Sequence, residues 1–288
     1  MRHHLPLIAG LAAFAVVSCA GCAAASAATA VNTGQAAHSA SPTTKSTTPA
    51  APDAEQRLSG AVASVIKSDD GHAAVAVDDL TTGQTASYNG GDDFVTASIV
   101  KVDILSALLY QLQQSGESLS DEQQELATTM IENSNNDAAS DLYDDDGEAT
   151  GIDAANKAFG LTDTAVGTDG YWGLTTTTVT DQIKVLRQVF TSDSLLTSSS
   201  RDYIQDLMSQ VEADQRWGVS AAASRGSYLV KNGWLPNPDL WEINSIGEVT
   251  HDGQKLLIVV LSADNETEDG GIGLVQQIAQ ATANAITS

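Results

Sequence analysis

The stretch "FVTASIVKVDILSALLYQL", residues 94–112, decides how the chain is read. Ser98 stands where a helix opens, and Lys101 follows three residues later. Around them Ile99, Val102, Leu105, Leu108, Leu109 and Leu112 mark an apolar stripe at helical spacing. A helix start puts the hydroxyl near the positive end of the helix dipole, with outward N–H groups suited to a developing oxyanion. Lys101, one turn on, projects from the same face. Two readings stand side by side. A desolvated amine is neutral enough to take the proton of the serine, whereas a lysine at a helix end also snorkels to water with no chemistry attached. A second Ser-x-x-Lys pair, Ser64 and Lys67, closes an earlier helical stretch, where Lys67 reads as an ordinary C-terminal charge.

Outward from this stretch, composition narrows the possibilities. The chain has 288 residues, 42% hydrophobic, enough for a full core. Thirteen Lys and Arg against 37 Asp and Glu give a formal net charge of -24. Such a surface repels phosphate backbones and anionic headgroups, so nucleic acid is not expected as a partner. The acidic run "YDDDGE", residues 143–148, reads as a solvated face; it lacks the alternating ligands and final Glu of a calcium loop. Both cysteines, Cys19 and Cys22, lie at the N-terminus, so the rest of the chain holds no disulfide, thiolate metal site or cysteine nucleophile.

The N-terminus has Arg2, a short apolar core from Leu5 to Val17, and small residues after it, the pattern of an export signal. "VVSC" and "CAGC" resemble bacterial lipoprotein cleavage sites, with Cys22 the expected lipidated residue and Cys19 its alternative. Cleavage after "ASA" or "SAA", leaving no lipid, is the other reading. Residues 23–52 are Ala, Ser, Thr, Pro and Gly with almost no large apolar side chain, a tether that cannot offset its own chain entropy. About 30 residues of such coil span about 30 Å. The expected organisation is therefore a signal over 1–22, a tether over 23–52 and a folded domain over 53–288.

In the domain, "AEQRLSGAVASVIKS" (54–68) has one apolar helical stripe, and "HAAVAVDDL", "TTGQ" and "TASYN" read as strand, turn and strand. Helical patterns run from Ser98 to about Arg216. Three strands follow, "SYLVKNGW", "WEINSIGEVT" and "KLLIVVLSA", then the helix "GIGLVQQIAQATANAI". The order predicts an α+β fold: one antiparallel sheet from 53–95 and 226–288, covered by the terminal helices, with an all-helical lobe over 96–225 inserted. Small-molecule clefts favour such junctions.

Two further motifs follow Ser98-x-x-Lys101. Ser134, Asn135 and Asn136 precede a helical run and taken alone are helix caps. Lys231, Asn232 and Gly233 lie on a strand, where the lysine alone reads as an edge-strand guard. In this order, Ser-x-x-Lys, Ser-x-Asn and Lys-x-Gly together resemble the superfamily of class A β-lactamases and penicillin-binding proteins. "GLTTTTVTDQIKVLRQVF" (173–190) resembles the threonine-rich helix start after that family's omega loop, and "INSIGEV" with "KLLIVVLS" its last strands. The resemblance covers about Ala54 to Ser288.

What the resemblance implies is an acyl-enzyme mechanism without metal or organic cofactor. Ser98 would be the nucleophile, Lys101 its base, and Ser134 a proton relay to the leaving group. Asn136 would hold a substrate amide, Lys231 would attract a substrate carboxylate, and Gly233 would let substrate backbone lie along the strand. The N–H groups of Ser98 and Trp234 would form the oxyanion hole. Four departures qualify it. The Ser98–Ser134 interval is short, Asn135 replaces the family's Asp, and Asn232 and Trp234 replace small residues. The omega region 160–173 contains no Glu, leaving Asp169 as the nearest acid that could activate water. The expected protein is an exported, lipid-anchored serine acyl hydrolase with slow deacylation, facing outward from the membrane and acting on a small molecule or peptide that bears a carboxylate. A cell-wall D,D-peptidase or esterase, or a catalytically weak binder of wall peptides, are the alternatives.

Overall fold

A computed structural model of the protein describes residues 53–66 and 71–288. The expected signal, the tether, Cys19, Cys22 and Lys67 lie outside the described residues. In chain order the elements are α1 (Ala54–Val65), β1 (His72–Asp79), β2 (Thr85–Tyr88), β3 (Phe94–Val95), α2 (Val100–Ser115), α3 (Asp121–Glu132), α4 (Asn136–Asp145) and α5 (Glu148–Phe159). There follow β4 (Thr176–Thr177), α6 (Val179–Phe190), α7 (Ser198–Ser209), β5 (Tyr228–Asn237), β6 (Leu240–His251), β7 (Gln254–Asn265) and α8 (Glu268–Thr287).

The five-stranded sheet has the order β2-β1-β7-β6-β5, antiparallel throughout. Its middle strand explains its own sequence. Leu256 to Leu261 are all fully buried, because α8 packs on β7 from one side and α6 from the other. A strand covered on both faces needs no polar alternation. α1 packs along α8. Its start is fixed by Asp53, whose carboxylate accepts the Gln56 N–H at 2.8 Å. The α+β architecture, with a sheet from the two ends of the chain and helices between, is thus the one expected. β5 is left as an edge strand, and the site is built against it.

Local boundaries differ from the sequence reading. α1 ends at Val65, three residues early. Ser64 is exposed there and its hydroxyl donates to the Ala61 carbonyl at 2.6 Å. Ser98 does not open an α-helix; it lies in a 3-10 turn, Ala97–Ile99, one step ahead of α2. Beyond Ser209 the expected helix gives way to short 3-10 turns between Ala213 and Gly226.

The run "YDDDGE" is not simply a solvated face. Asp144 and Asp145 are exposed, but Tyr143 and Asp146 are buried. Helical periodicity turns these two residues inward. The Tyr143 hydroxyl donates to the Gly167 carbonyl at 2.8 Å and accepts the Ala149 N–H at 3.0 Å. Asp146 accepts from Gln111 Nε2 at 3.1 Å. A second buried acid, Asp103 of α2, accepts from Asn156 Nδ2 at 3.0 Å, and burial raises its pKa to about 7.

Candidate active site

The edge of β5 lies directly on the Ser98 turn. A Cβ placed on Gly233 would come within 2.7 Å of the Ser98 nitrogen and 2.8 Å of the Ile99 nitrogen. Glycine is therefore required by protein backbone at this point, whatever substrate does along the strand. From β6, the buried Asn244 secures the approach to the turn by donating to the carbonyls of Val95 at 2.8 Å and Thr96 at 3.0 Å. The Thr96 N–H donates to the Thr175 carbonyl at 2.8 Å. Ala97 is held at φ +47°, a left-handed conformation that alanine rarely adopts. Strand, turn and loop thus fix the half-buried Ser98 before α2 begins.

Ser134 lies between α3 and α4, also left-handed at φ +56°. Asn135 is the N-cap of α4, its side chain accepting the Ala138 N–H at 2.8 Å. The capping reading of this tripeptide and its chemical reading therefore apply to different residues. Asn135 caps, while Ser134 and Asn136 turn to the lysines.

Lys101 is fully buried. Its Nζ donates to the Ser134 carbonyl at 2.6 Å, to Asn136 Oδ1 at 2.8 Å and to Ser134 Oγ at 3.1 Å. Lys231, also fully buried, reaches the same Ser134 Oγ at 3.0 Å and the Asn232 carbonyl at 3.2 Å. Neither lysine snorkels, and Lys231 does not guard the sheet edge against solvent. Burial lowers the Lys101 pKa to about 7. Burial, and secondly the charge of Lys101, holds Lys231 well below the usual lysine range.

Two positions behave differently from the sequence reading. Asn232 is buried and turned to the protein side, donating through Nδ2 to the carbonyls of Gln215 at 2.6 Å and Trp217 at 3.1 Å. Its amide ties β5 to the 215–217 segment. Asp169 is exposed at φ +54°, and its carboxylate accepts from Thr168 Oγ1 at 3.3 Å. The structure does not bring it together with the lysines.

Trp172 is the residue that motif reading missed. It opens a 3-10 turn, Trp172–Leu174, that packs against the Ser98 turn. Its ring centroid lies 5.0 Å from Lys101 Nζ, and its Nε1 donates to Ser140 Oγ at 3.1 Å. On the other flank Trp234 meets Trp217 edge to face, centroids 6.0 Å apart. Of the four tryptophans in the chain, three lie in the segments that pack here, and no sequence pattern marked Trp172. Among the described residues no group of three or more His, Cys, Asp or Glu is placed to hold a metal ion.

The model of the beta-lactamase enzyme family matches residues 57–124 and 119–286. The candidate lipoprotein LppW of Mycobacterium tuberculosis is 28% identical over 167 residues, which are 56% of this chain and 53% of LppW. The chain thus spans about half the length of the curated relatives it matches. A class A beta-lactamase from Bacteroides cellulosilyticus superposes with a TM-score of 0.72 at 17% identity, over 83% of this chain and 100% of its own. The TLA-1 extended-spectrum beta-lactamase gives 0.74 at 14% identity, over 82% and 100%. A variant of PBP-A, captured as an acyl-enzyme with penicillin G, gives 0.68 at 18% identity, over 82% and 99%. At these identities the likeness is one of fold.

Proposed function

The chain belongs to the beta-lactamase enzyme family, and on that premise we propose that it is a serine acyl hydrolase working through an acyl-enzyme on Ser98. The observation that carries the reading is the pair of buried lysines, Lys101 and Lys231, meeting on one hydroxyl, Ser134, beside the Ser98 turn. An amine with a pKa of about 7 is substantially neutral at physiological pH and accepts a proton. In this reading Lys101 takes the Ser98 proton as Oγ attacks the substrate carbonyl. The N–H groups of Ser98 and Trp234, on facing backbones, hold the oxyanion. Ser134 passes the proton on to the leaving group, Asn136 holds a substrate amide, and Lys231 supplies positive charge for an anionic substrate.

Deacylation is the weak half of the cycle. The Trp172 ring lies beside Lys101, and Asp169 faces solvent. Burial lowers the Lys101 pKa with no carboxylate acting to raise it again. The acyl-enzyme therefore persists, as in a penicillin-binding protein. An esterase is the second reading, supported by the turning of Asn232 toward Gln215 and Trp217, which leaves fewer polar groups for a substrate carboxylate. We further propose that the protein is lipid-anchored through Cys22, or Cys19, and faces outward; the leader sequence and the naming of LppW as a candidate lipoprotein support this.

The test is covalent. The protein is incubated with a labelled penicillin and, separately, with a fluorophosphonate, and the adduct is mapped by mass spectrometry. A single adduct at Ser98, absent from Ser98→Ala, is expected. If both reagents leave the protein unmodified, it is a binding protein and the enzymatic reading is wrong.

A further inference from the structure

The apolar surface at the mouth of this site is unusual for the chain. Only 5% of residues are aromatic, yet both flanks of the Ser98 turn are aromatic. On one flank the 3-10 turn Trp172–Leu174 packs against it; Leu174 at its end is 50% exposed, and Tyr171, the residue just before it, 66%. Leu195 is the one other exposed large hydrophobic among the described residues. On the opposite flank β5 carries Trp234, half-buried and set edge to face against the half-buried Trp217.

The backbone that carries these exposed side chains is tied down. The loop behind Tyr171 is tied to α4 through the Tyr143 hydroxyl on the Gly167 carbonyl and Trp172 Nε1 on Ser140 Oγ. The Gly167 N–H donates to Thr175 Oγ1 at 3.0 Å, and that hydroxyl donates to the Trp172 carbonyl at 2.7 Å. A Cβ on Gly167 would lie 2.1 Å from the Tyr171 carbonyl oxygen, so the loop is closed on itself. A rigid segment that holds apolar side chains in water beside a nucleophile maintains a cost that ligand burial removes.

We propose that the Ser98 site selects acyl donors by a bulky apolar acyl group, aryl or medium-chain, seated against Trp172, Tyr171 and Leu174 on one flank and Trp234 on the other. This rests on the serine acyl hydrolase reading and names its donor class. In the reaction, Ser98 Oγ bonds to the carbonyl carbon of the ester and the C–O bond to the alcohol breaks. The Ser98 proton leaves through Lys101 and Ser134 with the alcohol. Water then cleaves the acyl-serine, releasing a carboxylic acid and restoring the hydroxyl.

Each methylene fully buried is worth about four-fold in binding. Four-carbon extension of the acyl group, even half-buried, should therefore raise kcat/KM by at least about ten-fold. The experiment uses the full-length protein with p-nitrophenyl acetate, hexanoate and phenylacetate, and an acyl-D-Ala-D-Ala peptide alongside, while a fluorophosphonate reports Ser98 reactivity. The expected result is that hexanoate and phenylacetate exceed both acetate and the peptide. Leu174→Ser and Tyr171→Ser should each lower the hexanoate-to-acetate ratio, and the double variant should lower it further than either alone. Flat kcat/KM across the esters, with Ser98 still labelled, overturns the donor class and leaves the hydrolase reading standing. A peptide preferred over all esters does the same. An unlabelled Ser98 with no ester cleaved overturns both.

Discussion

The ring of Trp172 lies 5.0 Å from the Nζ of Lys101, so the buried amine that donates to Ser134 and Asn136 has an indole for a neighbour. A flat π-face stabilises a cation far less than a carboxylate does. Lys101 is therefore free to titrate near neutrality, its pKa lowered to about 7 by burial.

The pH dependence of acylation follows from that value. The neutral amine is the working form, so the rate of Ser98 modification should climb with pH, with a midpoint near 7, and level off above it. Stopped-flow acylation by a chromogenic cephalosporin between pH 5.5 and 9 measures it. A rate that is flat across this window, or falls, removes Lys101 from the role of base. Lys101→Ala should slow acylation about 10²- to 10⁴-fold. Lys101→Arg should not rescue, since a guanidinium does not deprotonate.

Turnover should be biphasic. A rapid burst of acylation is expected, followed by a steady state slower by about 10²- to 10⁴-fold, the usual worth of general-base help to the attacking water. Asp169→Asn should leave both phases unchanged, because Asp169 is exposed and bonded to Thr168. Loss of the slow phase in that variant would make Asp169 the water-activating base after all.

Buried acid in the helical part gives a stability prediction with a definite sign. Asp103 has its pKa raised to about 7. Between the unfolded value near 4 and that folded value the native state binds more protons, so stability falls as pH rises through this window and is flat above it. Between pH 5 and pH 8 the loss is about 2–3 kcal/mol. Asp103→Asn keeps the shape and a partner for Asn156 but removes the titration. Its melting temperature relative to the parent should therefore increase from pH 5 to pH 8, as read by scanning calorimetry. A parallel pair of pH profiles contradicts it.

Anchoring is tested in cells. Full-length protein expressed in bacteria should sediment with membranes, and Cys22→Ala should release it or block its processing. Release by Cys19→Ala alone moves the modification site. Retention or release identical in all three proteins means that no lipid is attached.

Much of this arrangement was legible from short-range pattern. The strands of the β5–β7 meander and the helices α2 to α8 announce themselves by period, and Ser98, Lys101, Ser134, Asn136 and Lys231 by motif order. What escaped is what depends on distant packing. Trp172 has no motif, and it reaches Lys101 only because Tyr143 and Ser140 of α4 hold its loop. Asn232 occupies a motif position yet serves the protein side, because residues 215–217 present two carbonyls to it. Asp146 hides in an acidic run because one more helical turn carries it inward. In each case the decisive partner lies in another element, and sequence spacing holds no record of it.

Two lysines on one hydroxyl set a limit on what the site can do at once. Burial, and then the charge of Lys101, depresses the readiness of Lys231 to hold a proton. Arming the serine asks Lys101 to be neutral, whereas drawing in an anion asks Lys231, itself held below the usual lysine range, to keep its charge. Capture of a carboxylate and activation of the nucleophile therefore pull in opposite directions along the pH axis, and an anionic donor is confined to a narrow optimum between them. A neutral donor escapes this opposition, and its reaction gains from alkalinity alone.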